Sequence, residues 1–377
     1  MNGTMMIERL KALALAGRIR QLDLQFARLV ADLGGSPELV LGAALACFEL
    51  GRGHVCLPLE MIIAGSLRPF GLDPEQSRDL LADLVDPARW LALFAESPLV
   101  GTEQDDGLAP RWPLRLWHGR LYLTRYHDFE HGVARHLRAL GERAEWPEIA
   151  PALSRLFARD YGLVFGALLK ARLAPDFSAR HFIEKYLDLV FPSEVDWPAI
   201  EALLASAQAA SDLSVLDALV PEALCCNGQK LAAATAAARP FAVISGGPGT
   251  GKTTTVAKLL AILVETGLQA GKAPAIRLVA PTGKAAARLT ESIGSALQAL
   301  DLPPEWVEAI PTEAGTLHRL LGVIPGRSQF RHHAGNPLHL DLLVVDEASM
   351  VDLPMMARLL DALPSHARLI LLGDKDQ

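Results

Sequence analysis

Residues 241–267 read FAVISGGPGTGKTTTVAKLLAILVETG. The first five residues form a short apolar run that is typical of a buried strand, and the later part of the stretch is typical of a helix. Between the two, Gly246-x-x-x-x-Gly251-Lys252-Thr253 matches the P-loop pattern. The alternative is a glycine-rich turn that holds no ligand. We favour the P-loop, because both the pattern and its strand–loop–helix context match.

The residue types in this loop suit a nucleoside triphosphate. Glycines let backbone N–H groups curl around a phosphate, and the N-terminus of the following helix attracts its charge. Lys252 would place a positive charge at the β and γ phosphates, and Thr253 would offer a hydroxyl to Mg²⁺. The residues expected to contact ATP here are Gly246, Gly247, Pro248, Gly249, Thr250, Gly251, Lys252, Thr253 and Thr254.

A second apolar run, LLVVDEASMVD at 342–352, ends in two carboxylates. Asp346 stands where a Walker B aspartate holds the Mg²⁺ shell, and Glu347 is placed to orient and deprotonate the attacking water. The alternative is an ordinary acidic loop after a strand. The P-loop makes the catalytic interpretation the better one.

The helical stretch CNGQKLAAATAAAR at 226–239 precedes the P-loop strand. Gln229 carries an amide that both donates and accepts hydrogen bonds, so it can pair with the adenine edge. A solvated helix glutamine is the other interpretation of this residue, and spacing alone leaves both open.

Outward from these motifs, four strand-like runs alternate with helical segments: 241–245, 277–280, 342–345 and 368–372. This alternation predicts an α/β fold with a parallel sheet covered by helices on both faces. The earlier part of the chain is mostly helical, with one hairpin around the His118-Gly119 turn. We expect a helical domain over 1–145, a helical connecting module over 146–221 and an ATPase domain over 222–377.

Composition limits the possible classes of protein. The 377 residues are 50% hydrophobic and 21% charged, which is usual for a packed soluble protein, and the net charge is −7. The four cysteines lack metal-ligand spacing, so we expect reduced thiols in a cytoplasmic protein. The N-terminus does not resemble a signal peptide, and no apolar run is long enough to predict a membrane span.

The motif order then becomes specific for a family. The segments GQK, SGGPGTGKTTT, APTGKAAARLTES, TLHRLLG, VVDEASMVD and LLGDKDQ resemble motifs Q, I, Ia, Ib, II and III of superfamily 1 DNA helicases. The sequences of these motifs are most similar to those of the RecD family, which comprises the alpha subunits of RecBCD (exonuclease V) complexes. LDLQFARLV, GRGHVCLPL and GRLYLTR in the N-terminal region resemble the same family. The stretch 146–220 is longer than the family pattern leads us to expect.

The resemblance implies roles that the residues alone indicate only weakly. Single-stranded DNA would be held by two loops, through phosphate and stacking contacts. Their residues are Pro281, Thr282 and Lys284 in the first loop and Thr316 and His318 in the second. A helix N-cap role for Thr282 and a partly buried, hydrogen-bonded His318 are the alternatives. The final residue, Gln377, would sense the γ-phosphate.

The resemblance also implies a RecA-like domain and an ATP-driven motor that moves toward the 3′ end of single-stranded DNA. RecB-like and RecC-like subunits would complete a heterotrimer that acts in double-strand break repair and recombination. The family continues with a second RecA-like domain, so we expect a C-terminally shortened chain with weak activity. We also expect the strand 368–372 to leave an apolar sheet edge exposed.

Other classes of function stay open. A stand-alone RecD-like helicase is one, although its helix–hairpin–helix repeats are not recognisable in this sequence. A nucleotide-binding assembly module without motor activity is another. A non-helicase P-loop switch such as an AAA+ protein fits TLHRLLG and GDKDQ poorly. No nuclease cluster is visible, so nuclease activity would belong to a partner.

Overall fold

The computed structural model describes residues 3–63, 67, 71–105, 112–143, 148–174, 176–247, 249–327 and 329–374. The chain divides into two compact units. One holds the chain up to Arg135 together with Asp352–Ala357, and the other holds His136–Val351 and Arg358–Gln377.

The first part of the chain is helical with a small sheet. Its helices are α1 (Gly3–Leu15), α2 (Gln21–Asp32), α3 (Pro37–Gly51), α4 (Glu60–Ile63), α5 (Pro74–Leu81), α6 (Trp90–Ala95) and α7 (Thr124–Glu142). Its strands are β1 (Leu57–Pro58), β2 (Val100–Gly101), β3 (Leu114–Trp117) and β4 (Arg120–Leu123). Short 3₁₀ turns cover Pro87–Arg89 and Glu103–Asp105. A single hydrophobic core joins α1, α2 and α3 to this sheet.

The predicted hairpin is present. β3 and β4 pair antiparallel, with Trp117 opposite Arg120. Both turn residues have positive φ, 46° at His118 and 73° at Gly119, which is the geometry of a type I′ turn. The hairpin belongs to a sheet of order β1-β4-β3-β2, because two strands of two residues each join its edges. Runs of two residues are too short to be recognised as strands from sequence.

The rest of the chain begins with helices and continues as α/β. Its helices are α8 (Ala150–Leu156), α9 (Tyr161–Ala171), α10 (Ala179–Tyr186), α11 (Trp197–Ser206), α12 (Leu216–Leu219), α13 (Gly228–Ala238), α14 (Lys252–Gln269), α15 (Gly283–Gln298), α16 (Pro304–Ala309), α17 (Leu317–Leu321) and α18 (Leu353–Ala362). Its strands are β5 (Phe241–Ser245), β6 (Ile276–Ala280), β7 (Gly315–Thr316), β8 (Leu342–Val345) and β9 (Arg368–Gly373). Further 3₁₀ turns cover Pro192–Glu194, Ala210–Val215, Glu222–Leu224 and Ala348–Met350.

The predicted parallel sheet is confirmed. Its order is β5-β9-β8-β6-β7, and every neighbouring pair runs parallel. Leu342 and Val344 of β8 pack into one core with α14 and α15. Leu343 and Val345, which alternate with them toward the opposite face, are also fully buried. Both faces of this strand are therefore covered, as the near-continuous apolar runs indicated.

One expectation about the sheet edge is wrong. The strand β9 does not lie at the edge, because it is inserted between β5 and β8. The edge strand is β5, where the side chain of Val243 is 60% exposed. The order of strands along the chain does not determine their order in a parallel sheet, so sequence reasoning could not place this edge.

The helices of the connecting stretch have their own core. Buried residues of α9, α10 and α11 pack together with Leu213 and Val220. Ser178 accepts a hydrogen bond from the His181 amide (3.3 Å), which confirms it as the N-cap of α10. That helix ends at Tyr186, and Leu189 beyond it forms an antiparallel bridge with Cys225.

A stacked pair of histidines, of which His127 is buried, lies on α7. The rings of His127 and His131 stack with centroids 4.2 Å apart, and His127 also contacts Trp117 and Tyr122. Burial lowers the pKa of His127, and the neighbouring His131 and Arg115 lower it further, while Asp128 opposes them. Protonation of His127 therefore disfavours the folded state.

We expect the chain to lose stability as the pH falls below about 6.5, the ordinary histidine pKa. Between the lowered native pKa and that value, the unfolded state binds more protons, so stability rises with pH. Replacing His127 by Phe should flatten this dependence in denaturant unfolding between about pH 5.5 and 7.5, a range that brackets the ordinary histidine pKa. An unchanged slope in His127→Phe would refute the assignment.

Candidate functional site

The P-loop directly follows the edge strand β5. Gly249 and Gly251 have φ of 74° and 80°, in the left-handed region that glycine adopts without strain. The Gly246 amide donates to the Gly373 carbonyl of β9 (3.3 Å), so the ladder of hydrogen bonds extends into the loop. At the other end, the Thr255 hydroxyl donates to the Gly251 carbonyl (3.0 Å). The loop is thus held at both ends by hydrogen bonds within the protein.

Lys252 begins α14 and folds back over the loop. Its ammonium group donates to the Gly246 carbonyl and to the Gly247 carbonyl, the latter at 3.3 Å. These carbonyls provide acceptors for a half-buried cation. The lysine charge therefore lies within the ring of backbone that the sequence assigned to phosphate.

The two acidic residues lie at the end of β8. The Asp346 amide donates to the Val279 carbonyl (2.9 Å), and the Asp346 carboxylate accepts from the Glu347 amide (2.9 Å). Glu347 has φ of 48°, a left-handed conformation that is uncommon outside glycine. Strained residues of this kind concentrate at functional sites.

Burial raises the pKa of Asp346, and the negative charge of Glu347 adds to this effect. The Glu347 amide and the positive charge of Lys252 act in the opposite direction. The influence of Lys252 on this carboxyl shows that the P-loop and the end of β8 share one electrostatic environment.

Gln229 contacts the P-loop directly. Its Nε2 donates to the Thr250 carbonyl (3.0 Å), and a Cβ on Gly251 would lie 2.4 Å from the same nitrogen. One N–H of the Gln229 amide therefore bonds to the protein, and the amide oxygen can accept a hydrogen bond from a ligand. Gln229 and Thr250 border a cavity of about 560 Å³. Its lining also includes Asp188, Asn227, Ile244, Gly246, Lys252 and Thr255.

The remaining loop residues differ in exposure. Thr253 is half-buried in the first turn of α14, and Thr254 is exposed. Pro248 and Gln377 lie outside the described residues. The loop brings together Gly246, Gly247, Gly249, Thr250, Gly251, Lys252 and Thr253.

The two loops predicted to hold DNA follow neighbouring strands. Ala280 of β6 pairs with Thr316 of β7, so Pro281 and Thr316 lie at the same end of the sheet. Thr282 accepts from the Ala285 amide (3.2 Å), which confirms its N-cap role, and Thr316 accepts from the Arg319 amide (3.2 Å). These bonds fix both loops to the helices that follow them.

The other side chains of these loops face solvent. Lys284 is exposed, and Pro281 is half-buried. His318 is exposed as well, with its ring 5.9 Å from that of Phe330, so the alternative of a partly buried histidine is wrong.

The residues fit a nucleoside triphosphate with a divalent cation. Left-handed glycines open the backbone around Lys252, and oxygen ligands of the kind that Mg²⁺ prefers are available from Thr253 and Asp346. Among the described residues, no cluster of three or more His, Cys, Asp or Glu could hold a metal by itself.

Comparison with known proteins gives two family matches. A model described as an AAA domain matches residues 229–377, and the model of the N-terminal domain of the RecBCD enzyme subunit RecD matches residues 15–122. The RecBCD enzyme subunit RecD of Mycolicibacterium smegmatis is 35% identical over 370 residues, which is 97% of this chain and 51% of that protein.

Over nearly its whole length, the chain is similar to the RecBCD enzyme subunit RecD.

Two further relatives match over shorter stretches. The RecBCD enzyme subunit RecD of Haemophilus influenzae is 55% identical over 153 residues, 40% of this chain and 23% of that protein. The ATP-dependent RecD2 DNA helicase of Deinococcus radiodurans is 42% identical over 135 residues, 36% of this chain and 15% of that protein. The chain spans about half the length, or less, of the RecD proteins that it matches.

The RecD and AAA matches agree with the architecture. A mostly helical N-terminal region with a hairpin precedes a RecA-like P-loop domain with a parallel sheet, and the AAA match identifies that domain as nucleotide-binding. Within the part of the chain that the structure describes, no helix has the length and apolar character needed to cross a bilayer.

Two residues of the cavity were missed by sequence reasoning. Asn227 caps α13 by accepting from the Lys230 amide (2.9 Å), and it also lines the cavity. An Asn before a helical run is a recognisable N-cap, so this signal was available. Asp188 comes from the connecting stretch, and nothing local in the sequence marks it.

Replacing Gly251 by Ala should destabilise the loop by about 1–3 kcal/mol, because the residue has positive φ and its Cβ would strike Gln229. Triphosphate binding should fall with it. Gly247→Ala is the matched control, since a Cβ there meets no atom within 4 Å and its φ is not positive. Thermal unfolding and titration with a fluorescent ATP analogue measure the two effects. Equal melting temperatures for the two variants would contradict this account.

Proposed function

We propose that the chain is the ATP-binding part of a DNA helicase subunit of the RecBCD type, which moves 5′ to 3′ on single-stranded DNA. The proposal rests on one observation: the candidate functional loops all lie at the same end of the parallel sheet, the end at which its strands terminate. The P-loop, the acidic pair and the two candidate DNA loops all follow carboxyl ends of its strands. Ligands of open α/β sheets bind at this edge.

In this proposal, each residue at the nucleotide has a separate task. Lys252 leaves the P-loop carbonyls and donates to the β and γ phosphates. Thr253 and Asp346 hold Mg²⁺, whose charge neutralises phosphate oxygens. Glu347 accepts a hydrogen bond from the attacking water and takes its proton. Gln377 is proposed to sense the γ-phosphate.

The raised pKa of Asp346 fits the proposed cation site. Burial disfavours the ionised carboxyl, and a bound divalent cation would favour it again. A bound cation would therefore stabilise the ionised form of the half-buried Asp346 carboxyl.

The strand order supports separate positions for the nucleotide and the DNA along the carboxyl end of the sheet. The P-loop follows the edge strand β5, whereas β6 lies three strands away. At about 4.8 Å per strand, this separation is roughly 14 Å. The loops at Pro281–Lys284 and Thr316–His318 thus stand apart from the phosphates, and the acidic pair after β8 lies between the two sides.

We further propose that residues 1–145 bind RecB-like and RecC-like subunits. The match to the RecD N-terminal domain lies in this region. Leu22 and Leu29 of α2 are exposed and share one face because they are seven residues apart, and the C-cap residue Leu33, four residues further on, is exposed as well. An apolar stripe of this kind is typical of a surface that a partner covers.

A stand-alone helicase is the second candidate, and the similarity to the Deinococcus radiodurans RecD2 helicase over 135 residues favours it. The match of residues 15–122 to the RecD N-terminal domain favours the subunit instead. Co-purification with a RecC-like chain distinguishes the two.

Replacing Lys252 by Gln should weaken Mg²⁺-dependent binding of an ATP analogue by more than about tenfold, because it removes charge-assisted hydrogen bonds to phosphate. The melting temperature should stay near that of the wild type. Lys272→Gln is the control, since this exposed lysine precedes the amino end of β6, whereas the P-loop follows the carboxyl end of β5. Wild-type affinity in Lys252→Gln would disprove the proposed site.

Replacing Lys284 by Ala should weaken binding of oligo-dT and reduce the slope of log affinity against log salt by about 0.7, the value for one contact to single-stranded phosphate. Fluorescence anisotropy over a salt range of roughly 50 to 200 mM measures both the affinity and the slope. The control Lys272→Ala should leave both slope and affinity unchanged. A full salt slope in Lys284→Ala would exclude this loop from the DNA contact.

A further inference from the structure

The chain between α10 and α11 runs beside the start of the helix that carries Gln229. The Cys226 amide donates to the Asp188 carbonyl (2.9 Å), and the Val190 amide donates to the Leu224 carbonyl (2.9 Å). With the bridge between Leu189 and Cys225, these bonds tie the connecting stretch to the segment before α13. Asp188 is therefore fixed next to the nucleotide cavity by backbone hydrogen bonds.

Asp188 has an unusual backbone conformation. Its φ is 51°, and only two other non-glycine residues among those described, His118 and Glu347, have positive φ. The type I′ turn explains His118, and Glu347 belongs to the acidic pair of the nucleotide site. Asp188 directly follows Leu187, the C-cap residue of α10, and helices commonly end with a left-handed residue at this position. Aspartate adopts this conformation more readily than most residues, and here it places the side chain beside the cavity.

The Asp188 carboxylate lacks a donor. It lines the cavity of about 560 Å³ together with Gln229 and Asn227. No hydrogen bond or ion pair to this carboxylate occurs in the described part of the chain, and burial alone raises its pKa. Asp188 is exposed to solvent, so a ligand can reach it. A partly desolvated acceptor without a donor gains from a ligand that brings one.

We propose that Asp188 accepts a hydrogen bond from the nucleoside part of the bound triphosphate and so contributes to nucleotide specificity. This inference rests on the proposed nucleotide site. The Gln229 amide nitrogen donates to the Thr250 carbonyl, which leaves the amide oxygen as an acceptor. The Gln229 oxygen and the Asp188 carboxylate are therefore two side-chain acceptors that line the cavity. Donors on the ligand are the exocyclic amine of adenine and the ribose hydroxyls.

The test compares nucleotides that lack one donor each. Wild type, Asp188→Gly and Asp188→Asn are titrated with ATP, with 2′-deoxy-ATP, with 3′-deoxy-ATP and with purine riboside triphosphate, which lacks the 6-amino group. Glycine removes the carboxylate and relieves the positive φ, so the variant should fold at least as well as the wild type. Asparagine tolerates the same backbone conformation and keeps one acceptor.

We expect Asp188→Gly to weaken ATP binding on the order of tenfold, as for a lost hydrogen bond to a charged group. Asp188→Asn should show a smaller loss. The difference between wild type and Asp188→Gly should disappear for the one analogue that lacks the donor, which identifies amine or hydroxyl as the contact. Asp176→Asn is the control, because Asp176 is exposed and lies in the same connecting stretch.

Two results would overturn the inference: ATP affinity in Asp188→Gly within twofold of wild type, or an equal loss for every analogue, which would mean that Asp188 acts on the shape of the cavity alone. Failure of the wild type to bind any of the triphosphates would instead refute the proposed nucleotide site itself.

Discussion

The site depends on the backbone hydrogen bonds of one strand, β9. Leu371 pairs with Val243 of the P-loop strand on one side and with Val345 of β8 on the other. This double pairing sets the P-loop and the acidic pair two strand spacings apart, about 10 Å. Direct pairing of β5 with β8 would halve that distance and leave less room for a triphosphate between Lys252 and Asp346. Because the spacing comes from main-chain bonds, the side chains of β9 need only be apolar.

Local signals account for the part of the fold that sequence predicts well. The strands 241–245 and 342–345 were predicted with the bounds that the structure shows, because each is a short apolar run ended by a glycine or a carboxylate. Ser36 and Ser178 are the N-caps of α3 and α10, and a serine before a helical run is recognisable in the sequence because the cap interaction is made within four residues. The P-loop motif likewise contains its own structural context.

Pairing between distant segments accounts for the part that sequence misses. Helix α10 has helical periodicity up to Phe191, yet it ends at Tyr186, because the bridge between Leu189 and Cys225 competes with the helix. That bridge joins residues far apart in the chain, so no local pattern predicts it. The same holds for the central position of β9 and for Asp188 in the nucleotide cavity.

The hydrogen bonds of the P-loop explain how one loop can be ordered without a ligand and still bind one. Lys252 is held by the Gly246 and Gly247 carbonyls, and Gln229 by the Thr250 carbonyl. Of these, only the bonds of Lys252 compete with a phosphate for the same cation. A ligand therefore replaces one set of acceptors by more strongly charged ones, while the bonds of Gln229 and Thr255 keep the loop in place. Binding then costs little ordering of the backbone, which is the advantage of a preformed site.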